Sequence, residues 1–494
     1  MRGAALAALG SVAVAMVLLE APLSSLDSGL WGPENAWHNR DFLGAWWLFW
    51  DSATQGDGLA LQNWPDGAAS LQHHIPNPFD GWLLGWALWD APFPLWWNGM
   101  QLGHHLLNVA AAAVLARAAG ARTGGALAAG ALVAASPVML HEIAGGRTLS
   151  GAVWPGLLGL ALLMRGRSVF AGVLIGVQGL FYLYAGALFA LVALILRPAW
   201  GLLAAAVPML PYAAWLWPLT GRLTGNPPPA GFSELPAAGL FGLSSVPERF
   251  RLHPLLLAGL PGLGIAAMRG ARGPAIRWIA AAGLVLLVAL GPGPGWGVSD
   301  DTLTSPLAWV MWAVPGLGRM HHPVRAALLL VPIMAVGVAL LLEHLPPRLG
   351  AIPVVLAFFS QNPMTAAVPV GVGPVPPGLE AAEWLAAQGE GAVVDLTGAG
   401  DAALGLQPIH GHPMLEGLRR PTAPAREGGP VAPRLRDRVD GWLQGEAQPG
   451  LAADLRAAGF RWVLVVDRRE PAVDRAALES DLGAPVFPDV YALP

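Results

Sequence analysis

The sequence predicts a mainly α-helical protein: a polytopic transmembrane bundle of about eleven spans at residues 1–362, followed by an extracytoplasmic α/β domain at residues 363–494. Mean hydropathy is +0.51 and charged residues make up only 12% of the 494-residue chain, about half the fraction typical of soluble domains. The charges are also unevenly distributed, since seventeen of the 32 acidic residues follow residue 362. A membrane-embedded first part and a solvated tail account for both observations.

Eleven apolar stretches approach or reach the roughly 17–25 residues of a membrane-spanning helix. They run at residues 4–20, 102–116, 124–141, 149–164, 168–180, 182–196, 200–219, 253–268, 278–291, 325–343 and 350–362. The first is expected to be an uncleaved span, because the Glu20-Ala21-Pro22 sequence after it is a poor signal-peptidase site. The fifth and sixth are joined by little more than Phe181, so residues 168–196 form either two short spans or one tilted helix.

The arginines predict the orientation. With eleven spans, ten of them fall in short connections on one side of the membrane: Arg2, Arg117, Arg122, Arg165, Arg167, Arg197, Arg269, Arg272, Arg277 and Arg348. The positive-inside rule makes that side cytoplasmic, so we expect a protein of the cytoplasmic (inner) membrane with its amino terminus inside and its carboxyl domain outside. Fourteen of the fifteen acidic residues before position 363 then lie outside, Glu343 being the exception. The outer face is therefore where chemistry is expected.

A long outer loop, residues 21–101, follows the first span and carries eleven of the 22 tryptophans. Within it, Asp41 to Ala53 has the spacing of an amphipathic helix, and Trp82, Trp86 and Trp89 repeat the pattern. Because tryptophan favours the membrane–water boundary, both segments are predicted to lie flat on the outer interface and cover the mouth of the bundle. An equally good interpretation is that these rings fill the core of a folded loop.

The tail alternates between helix and strand patterns. The predicted elements are helices at Glu380–Gln388 and Leu451–Gly459, strands at Ala392–Leu396 and Arg461–Val466, and further segments at Ala476–Leu482 and Val486–Ala492. His410 and His412 are predicted to lie in a turn near a strand. The pattern indicates a small α/β domain, and the order of its strands does not follow from it.

Four segments in this order resemble one known superfamily. They are "NRDFLGAWWLFW" and "NPFDGWLLGW" in the first outer loop, "GLGRMHHPVRAALLL" leading into a late span, and "HGHPMLEGLRRP" in the tail. Together with the first span and the long outer loop they resemble the GT-C superfamily of membrane glycosyltransferases, and more closely its bacterial multi-span members of the YfhO-like kind. The resemblance covers most of the chain as architecture, and none of the four motifs is highly specific.

The resemblance implies a polyprenyl-phosphate-linked sugar as donor, with membrane lipid around it, and a catalytic acid in the first outer loop, which matches Asp41. Glycosyl transfer from a lipid phosphate needs a carboxylate to take the acceptor's proton and cations to stabilise the leaving phosphate. Asp41 also has a structural interpretation, since an acid in the first turn of a helix complements the helix dipole. Glu34 and Asp51 are the alternative carboxylates in that loop.

Two further groups are candidates for the same outer site. Glu142 lies at the outer end of the third span with Arg147 close behind it, so a second carboxylate could face the covered cavity; its plain interpretation is a snorkelling or capping group. A phosphate at the outer leaflet would meet the cations that immediately precede the tenth span. These residues are Arg319, His321, His322 and Arg325. Their plain interpretation is interfacial anchoring of that span.

Several classes of function are disfavoured. The absence of cysteine excludes disulfides, thiolate metal sites and a cysteine nucleophile, and a net charge of −4 gives no reason to expect nucleic-acid binding. Adjacent histidines point in different directions and seldom bind one ion together. No cofactor is therefore predicted, although His73 and His74 are weak candidates for ligands of a divalent metal.

Two hypotheses follow. The first is a glycosyltransferase in which Asp41 is the base, Glu142 assists, and Arg319 and Arg325 hold phosphate while a sugar passes to an acceptor on the outer face. The second is a non-catalytic membrane protein, either a scaffold that binds through its tail or a lipid or glycan transporter. A transporter should carry ionisable groups inside its spans, and the predicted spans hold almost none.

Overall fold

The structure, a computed structural model, describes most of the helical part and of the tail. The described residues are 2–19, 23–24, 26, 30–31, 95–144, 151–216, 254–268, 272–290, 323–346, 352, 355–356, 372–373, 378–396, 406–415, 431–444, 446, 448–466 and 474–494. They divide into two compact units: one holds residues 2–26, 31 and 97–372, and the other holds residues 30, 95–96 and 373–494.

The first unit is helical. Its helices are α1 Arg2–Leu18, α2 Leu95–Ala118, α3 Thr123–Ala134, α4 Pro137–Ala144, α5 Trp154–Met164, α6 Ser168–Phe181, α7 Leu183–Leu196, α8 Ala206–Leu216, α9 Pro254–Leu257, α10 Gly259–Met268, α11 Arg272–Ala289 and α12 Ala327–Leu342. Two 3-10 helices, Trp200–Ala205 and Pro323–Ala326, directly precede α8 and α12. Two-residue strands, β1 at Leu30–Trp31 and β2 at Val372–Gly373, lie where the chain passes between the units.

Ten of the eleven predicted apolar stretches coincide with helices in the described residues, and the eleventh, 350–362, lies mostly outside them. Several are divided into shorter pieces. The stretch 124–141 breaks between α3 and α4, because Pro137 disfavours helical geometry at the residue before it. In the described part of the chain, no helix combines the length and apolar character that crossing a membrane requires.

Residues 168–196 form two helices that fold back on each other. The chain leaves helical geometry at Tyr182, with φ −152° and ψ 108°. A Cβ atom added to Gly186 would lie 2.5 Å from the Cα of Gly179, whereas seven residues of continuous helix span about 10 Å. The single-helix alternative is therefore excluded, and Tyr182 lies at the corner of a helical hairpin.

The helices alternate in direction. Close contacts make α1 parallel to α3 and α10 parallel to α12, while the start of α3 meets the end of α12. The α10–α12 crossing is made possible by glycines, because Cβ atoms on Gly259 and Gly262 would lie 2.3 Å from the carbonyl oxygens of Met334 and Gly337. Small residues at such crossings allow two helix backbones to approach closely.

Arginines terminate several helices. Arg197 donates to the carbonyls of Leu163 and Met164 at the end of α5, at 3.3 and 3.4 Å. Arg277 donates to the carbonyl of Leu196 at the end of α7, at 3.1 Å. Carbonyls in the last turn of a helix lack the N–H groups of a further turn, and a cation there also complements the helix dipole. The arginines that predict orientation therefore also cap helices.

The second unit is a small α/β domain. Its elements are α13 Leu379–Ala386, β3 Ala392–Asp395, α14 Gln407–His410, α15 Val431–Leu443, α16 Leu451–Ala457, β4 Phe460–Leu464, α17 Arg475–Leu482 and β5 Val490–Ala492. β3 pairs with β4 in parallel, and β4 pairs with β5 in antiparallel orientation. The predicted helices and strands are found close to their expected bounds. The strand order, with its mixed parallel and antiparallel pairing, was not predicted, because the composition of one strand does not indicate which strand pairs with it.

His410 and His412 lie in a buried turn between α14 and an isolated bridge from Met414 to Val393 on β3. Gly411 between them has φ +70°. The backbone N–H of His412 donates to Nδ1 of His410 at 3.0 Å, and burial together with the His412 charge lowers the pKa of His410 to about 3. The turn near a strand is as predicted.

Candidate functional site

The most unusual feature of the first unit is a buried ion pair between Glu142 and Arg325. Glu142 lies in the last turn of α4, and Arg325 lies in the 3-10 helix that leads into α12. Arg325 Nε and Glu142 Oε2 are 3.8 Å apart, and their side chains are only 14% and 3% exposed. Removing both charges from solvent is expensive unless each finds a partner. Two segments far apart in the sequence thus meet at one point.

Each charge of this pair opposes the dipole of its own helix. Glu142 lies near the negative end of α4, and Arg325 lies near the positive end of α12. Because α3–α4 and α12 are antiparallel, each charge instead complements the dipole of the neighbouring helix. Local preference and tertiary position disagree here, and such disagreement is typical of functional or strained sites.

Tyr182 forms the aromatic side of the pair. The guanidinium carbon of Arg325 lies 6.0 Å from the centre of the Tyr182 ring, and Tyr182 meets Tyr184 edge to face at 5.6 Å. A cavity of about 20 Å³ lies beside them, which is enough for one water molecule. Its lining includes Val153, Tyr182, Tyr184, Leu188, Phe189 and Arg325. The corner of the α6–α7 hairpin thus faces the ion pair.

Two buried amides hold the segment that packs against Glu142. A Cβ atom added to Gly151 would lie 3.4 Å from Glu142 Cβ. Asn108 donates to the Gly151 carbonyl at 2.6 Å and accepts from Val153 N–H at 2.9 Å. Gln178 donates to the Ala152 carbonyl at 2.8 Å and accepts from Gly156 N–H at 3.2 Å. The irregular backbone before α5 is therefore fixed from two helices, as non-helical backbone among buried apolar helices must be.

An aromatic group completes this region. Trp154 Nε1 donates to Nδ1 of His104 at 3.2 Å. Both rings meet Phe181 edge to face, with centroid separations of 5.5 Å for His104 and 6.0 Å for Trp154. Three helices, α2, α5 and α6, are joined by these contacts on the same side of the bundle as Tyr182.

The sequence singled out both members of the pair but assigned them separate roles. The structure brings Glu142 and Arg325 together, and their low exposure argues against plain interfacial anchoring. The remaining predicted site residues lie outside the described residues: Glu34, Asp41, Asp51, His73, His74, Arg147, Arg319, His321 and His322. Within the described ranges, no three histidine or acidic side chains come close enough to hold a metal ion.

Sequence reasoning missed Asn108, Gln178 and Tyr182. A signal for the amides was present, since each is a polar residue inside an apolar stretch, and polar groups in such positions need specific partners. Tyr182 gave no comparable signal, because its importance depends on the hairpin that places it near Arg325. In chemical terms, the arrangement offers a carboxylate that can accept a hydrogen bond and a guanidinium that can bind phosphate.

The fold is similar to that of arabinofuranosyltransferase AftD from Mycobacteria. The identity is 20%, the TM-score is 0.55, and the match covers 94% of this chain and 35% of AftD. A mutant form of the same protein gives 21% identity and a TM-score of 0.54, covering 94% and 36%. A weaker likeness, with 13% identity and a TM-score of 0.48 over 92% and 67% of the two chains, is to the oligosaccharyltransferase of Archaeoglobus fulgidus.

The chain spans about a third of the AftD chain it matches. No protein-family model matches the sequence, and no curated relative is found by sequence comparison. At this level of identity the likeness describes the fold alone.

Proposed function

We propose that this chain is a membrane glycosyltransferase that moves a sugar from a polyprenyl-phosphate carrier to an acceptor on the outer face of the cytoplasmic membrane. The observation that carries the proposal is the buried Glu142–Arg325 pair inside a GT-C-like fold. The same proposal includes a closer relationship of this chain to the YfhO-like bacterial members of the GT-C superfamily. AftD is an arabinofuranosyltransferase, which is consistent with sugar transfer as the reaction class.

A membrane location is supported by apolar side chains on the outside of the first unit. Leu6 and Leu9 on α1 are 63% and 67% exposed, Val207 on α8 is 67% exposed, and Trp200 is 88% exposed. A soluble protein rarely leaves many large apolar side chains uncovered on adjacent helices, whereas lipid would cover them at no cost. Orientation rests on the arginines, which favour an inside amino terminus and an outside carboxyl domain.

The proposed chemistry divides between a base and a phosphate holder. Asp41 takes the proton of the acceptor hydroxyl while the bond from the sugar's anomeric carbon to the carrier phosphate breaks, and the bonding electrons leave with the phosphate. Arg325 donates to the phosphate oxygens through its guanidinium N–H groups. Glu142 holds the guanidinium in position and assists. Arg319 is proposed as a second phosphate ligand.

Transfer should be measured with the full chain in lipid nanodiscs, using radiolabelled sugars on short polyprenyl phosphates and a membrane-glycan extract as acceptor. We expect Asp41→Asn to abolish transfer, and Glu142→Gln and Arg325→Gln to reduce it about 100-fold or more. Glu343→Gln is the matched control, since it neutralises a paired carboxylate distant from Arg325. Full transfer by Asp41→Asn at normal protein level would remove the proposed base.

The non-catalytic scaffold or transporter is the alternative. The cavity beside Arg325 has room for one water molecule. This small volume favours a scaffold or transporter over an enzyme with an open donor site. A complementation assay separates the two classes. A variant with Asp41, Glu142, Arg319 and Arg325 all neutralised should fail to complement if the chain is an enzyme, and should complement if it serves as a scaffold.

A further inference from the structure

The tail contains an open groove that the proposed transfer chemistry does not use. Its volume is about 590 Å³, and it lies among the end of α15, the loop before α16, and α17. Trp442, Glu446, Gln448 and Asp481 supply its polar and aromatic lining, and Leu451 and Leu482 belong to its apolar wall. Grooves of this volume are typical of small-molecule and oligosaccharide sites.

The groove is held in a defined shape. Trp442 Nε1 donates to Asp481 Oδ2 at 2.9 Å, which fixes the orientation of the indole ring. Arg438 donates to Gln448 Oε1 at 3.4 Å and to the Pro449 carbonyl at 2.8 Å, and it also bonds to Asp454. The loop that carries Glu446 and Gln448 is therefore anchored to α15 and α16.

Gly441 makes the close approach of this loop possible. A Cβ atom at that position would lie 2.6 Å from Gln448 Nε2 and 2.7 Å from Glu446 Oε2. Glycine weakens a helix interior by about 1 kcal/mol relative to alanine, so its presence inside α15 has a local cost. The bare backbone allows the two polar side chains to lie beside Trp442.

The chemistry of the lining selects the class of ligand. Among the described residues that line the groove, two are carboxylates and none is a cation, which disfavours phosphates and other anions. Carboxylate and amide oxygens accept hydrogen bonds from hydroxyl groups, and an indole face packs against the apolar face of a sugar ring. We infer that this groove binds a neutral oligosaccharide, either the acceptor or the product of the proposed transfer, and its ligand class therefore rests on the proposed function.

Binding should be tested with the full chain in nanodiscs, against an array of neutral tetrasaccharides built from hexoses and pentoses in α and β linkages. Choline and an alkylamine serve as cationic probes. We expect the wild type to bind at least one tetrasaccharide and Trp442→Ala to weaken that binding about tenfold or more. Trp442→Phe, which keeps an aromatic face, should retain most of it.

Glu446→Gln and the exposed Glu390→Gln form a matched pair, because Glu390 lies outside the groove. The first should weaken binding and the second should not, and this comparison also decides the matter if Trp442→Ala fails to fold. The inference is overturned if no tetrasaccharide binds, if Trp442→Ala and Glu446→Gln bind normally, or if only the cationic probes bind in the groove.

The two proposals can fail separately. Glu142→Gln should lose transfer and keep tetrasaccharide binding, since Glu142 and the groove belong to different units. If the protein binds a tetrasaccharide through Trp442 but shows no transfer activity, the groove proposal stands and the transfer proposal fails. If it shows transfer but no binding that depends on Trp442, the transfer proposal stands and the groove proposal fails.

Discussion

The two ends of the antiparallel α3–α4 and α12 pair carry the same device at different depths. At one end Glu343 pairs with Arg122, with 3.1 Å between Arg122 Nε and Glu343 Oε2. The Glu343 side chain is 17% exposed, and the Arg122 side chain is 78% exposed. At the other end Glu142 and Arg325 are 3% and 14% exposed. In both pairs each charged side chain lies next to the oppositely charged end of the neighbouring helix. The acid lies next to a positive end, and the arginine lies next to a negative end.

The difference in depth decides what each pair does. A pair with one exposed partner gains little, because water already solvates the Arg122 guanidinium. Glu343 Oε1 also accepts from the backbone N–H of Arg122 at 2.5 Å, so this end behaves as a helix cap. In the buried pair, the cost of removing both ions from water offsets much of their attraction. Removing one partner should nevertheless strongly destabilise the fold. Similar chemistry therefore fastens the bundle at one end and, at the other, buries the arginine that we propose binds phosphate.

The largest expected effect comes from Arg325→Ala. It would leave the Glu142 carboxylate buried without this cation, which should reduce the free energy of unfolding by about 3–5 kcal/mol. Thermal unfolding of the purified protein in detergent measures this loss. The double variant Glu142→Gln with Arg325→Gln should regain much of the stability without regaining transfer. Equal stability of Arg325→Ala and wild type would mean that the pair does not form in solution.

A smaller loss is expected from Gln178→Leu, which tests whether the buried end depends on its fixed backbone. The substitution leaves the Ala152 carbonyl and the Gly156 N–H without this partner, and each unsatisfied buried group costs about 1–3 kcal/mol. Gln178→Glu keeps one acceptor and should cost less if it stays protonated. The comparison is again by thermal unfolding, and an unchanged midpoint for Gln178→Leu would show that water replaces the amide.

Hydropathy predicted the positions of the helices well, because burial in an apolar bundle requires long apolar runs whatever the packing. It could not predict the turn at Tyr182, where only the contact between Gly179 and Gly186 distinguishes a hairpin from one helix. The strand order of the tail was equally hidden, since β4 could pair with any neighbour of similar composition.

For the site, the sequence identified Glu142 and Arg325 because both lie at predicted outer ends of spans, where a covered cavity and an outer-leaflet phosphate are expected. It did not predict that they pair, since pairing depends on α4 and α12 being antiparallel neighbours. Asn108 and Gln178 act through backbone groups of the segment 151–156, and no spacing in the sequence connects them with that segment. Asp41 remains a prediction, outside the described residues.

Helix α10, where it crosses the middle of α12, offers a test that leaves both ion pairs untouched. Gly262→Ala would bring a Cβ atom to 2.3 Å from the Gly337 carbonyl oxygen and should cost about 1–3 kcal/mol. Gly264→Ala in the same helix meets nothing within 4 Å and should be neutral or slightly stabilising, because alanine favours helix over glycine by about 1 kcal/mol. If both variants unfold at the same temperature, the α10–α12 crossing is looser than described.

The smallest effect is expected at the exposed end. Glu343→Gln keeps an oxygen that can accept from the Arg122 N–H and removes only the charge, so it should change the free energy of unfolding by less than about 1 kcal/mol. Added salt should lower the wild-type stability by a similar amount and leave the variant almost unchanged, since screening acts mainly on exposed charges. Glu142→Gln, measured in parallel, should lose several times more and respond less to salt. A loss at Glu343 as large as that at Glu142 would mean that depth does not separate the two ends, and the buried pair would then lose its claim to a special role.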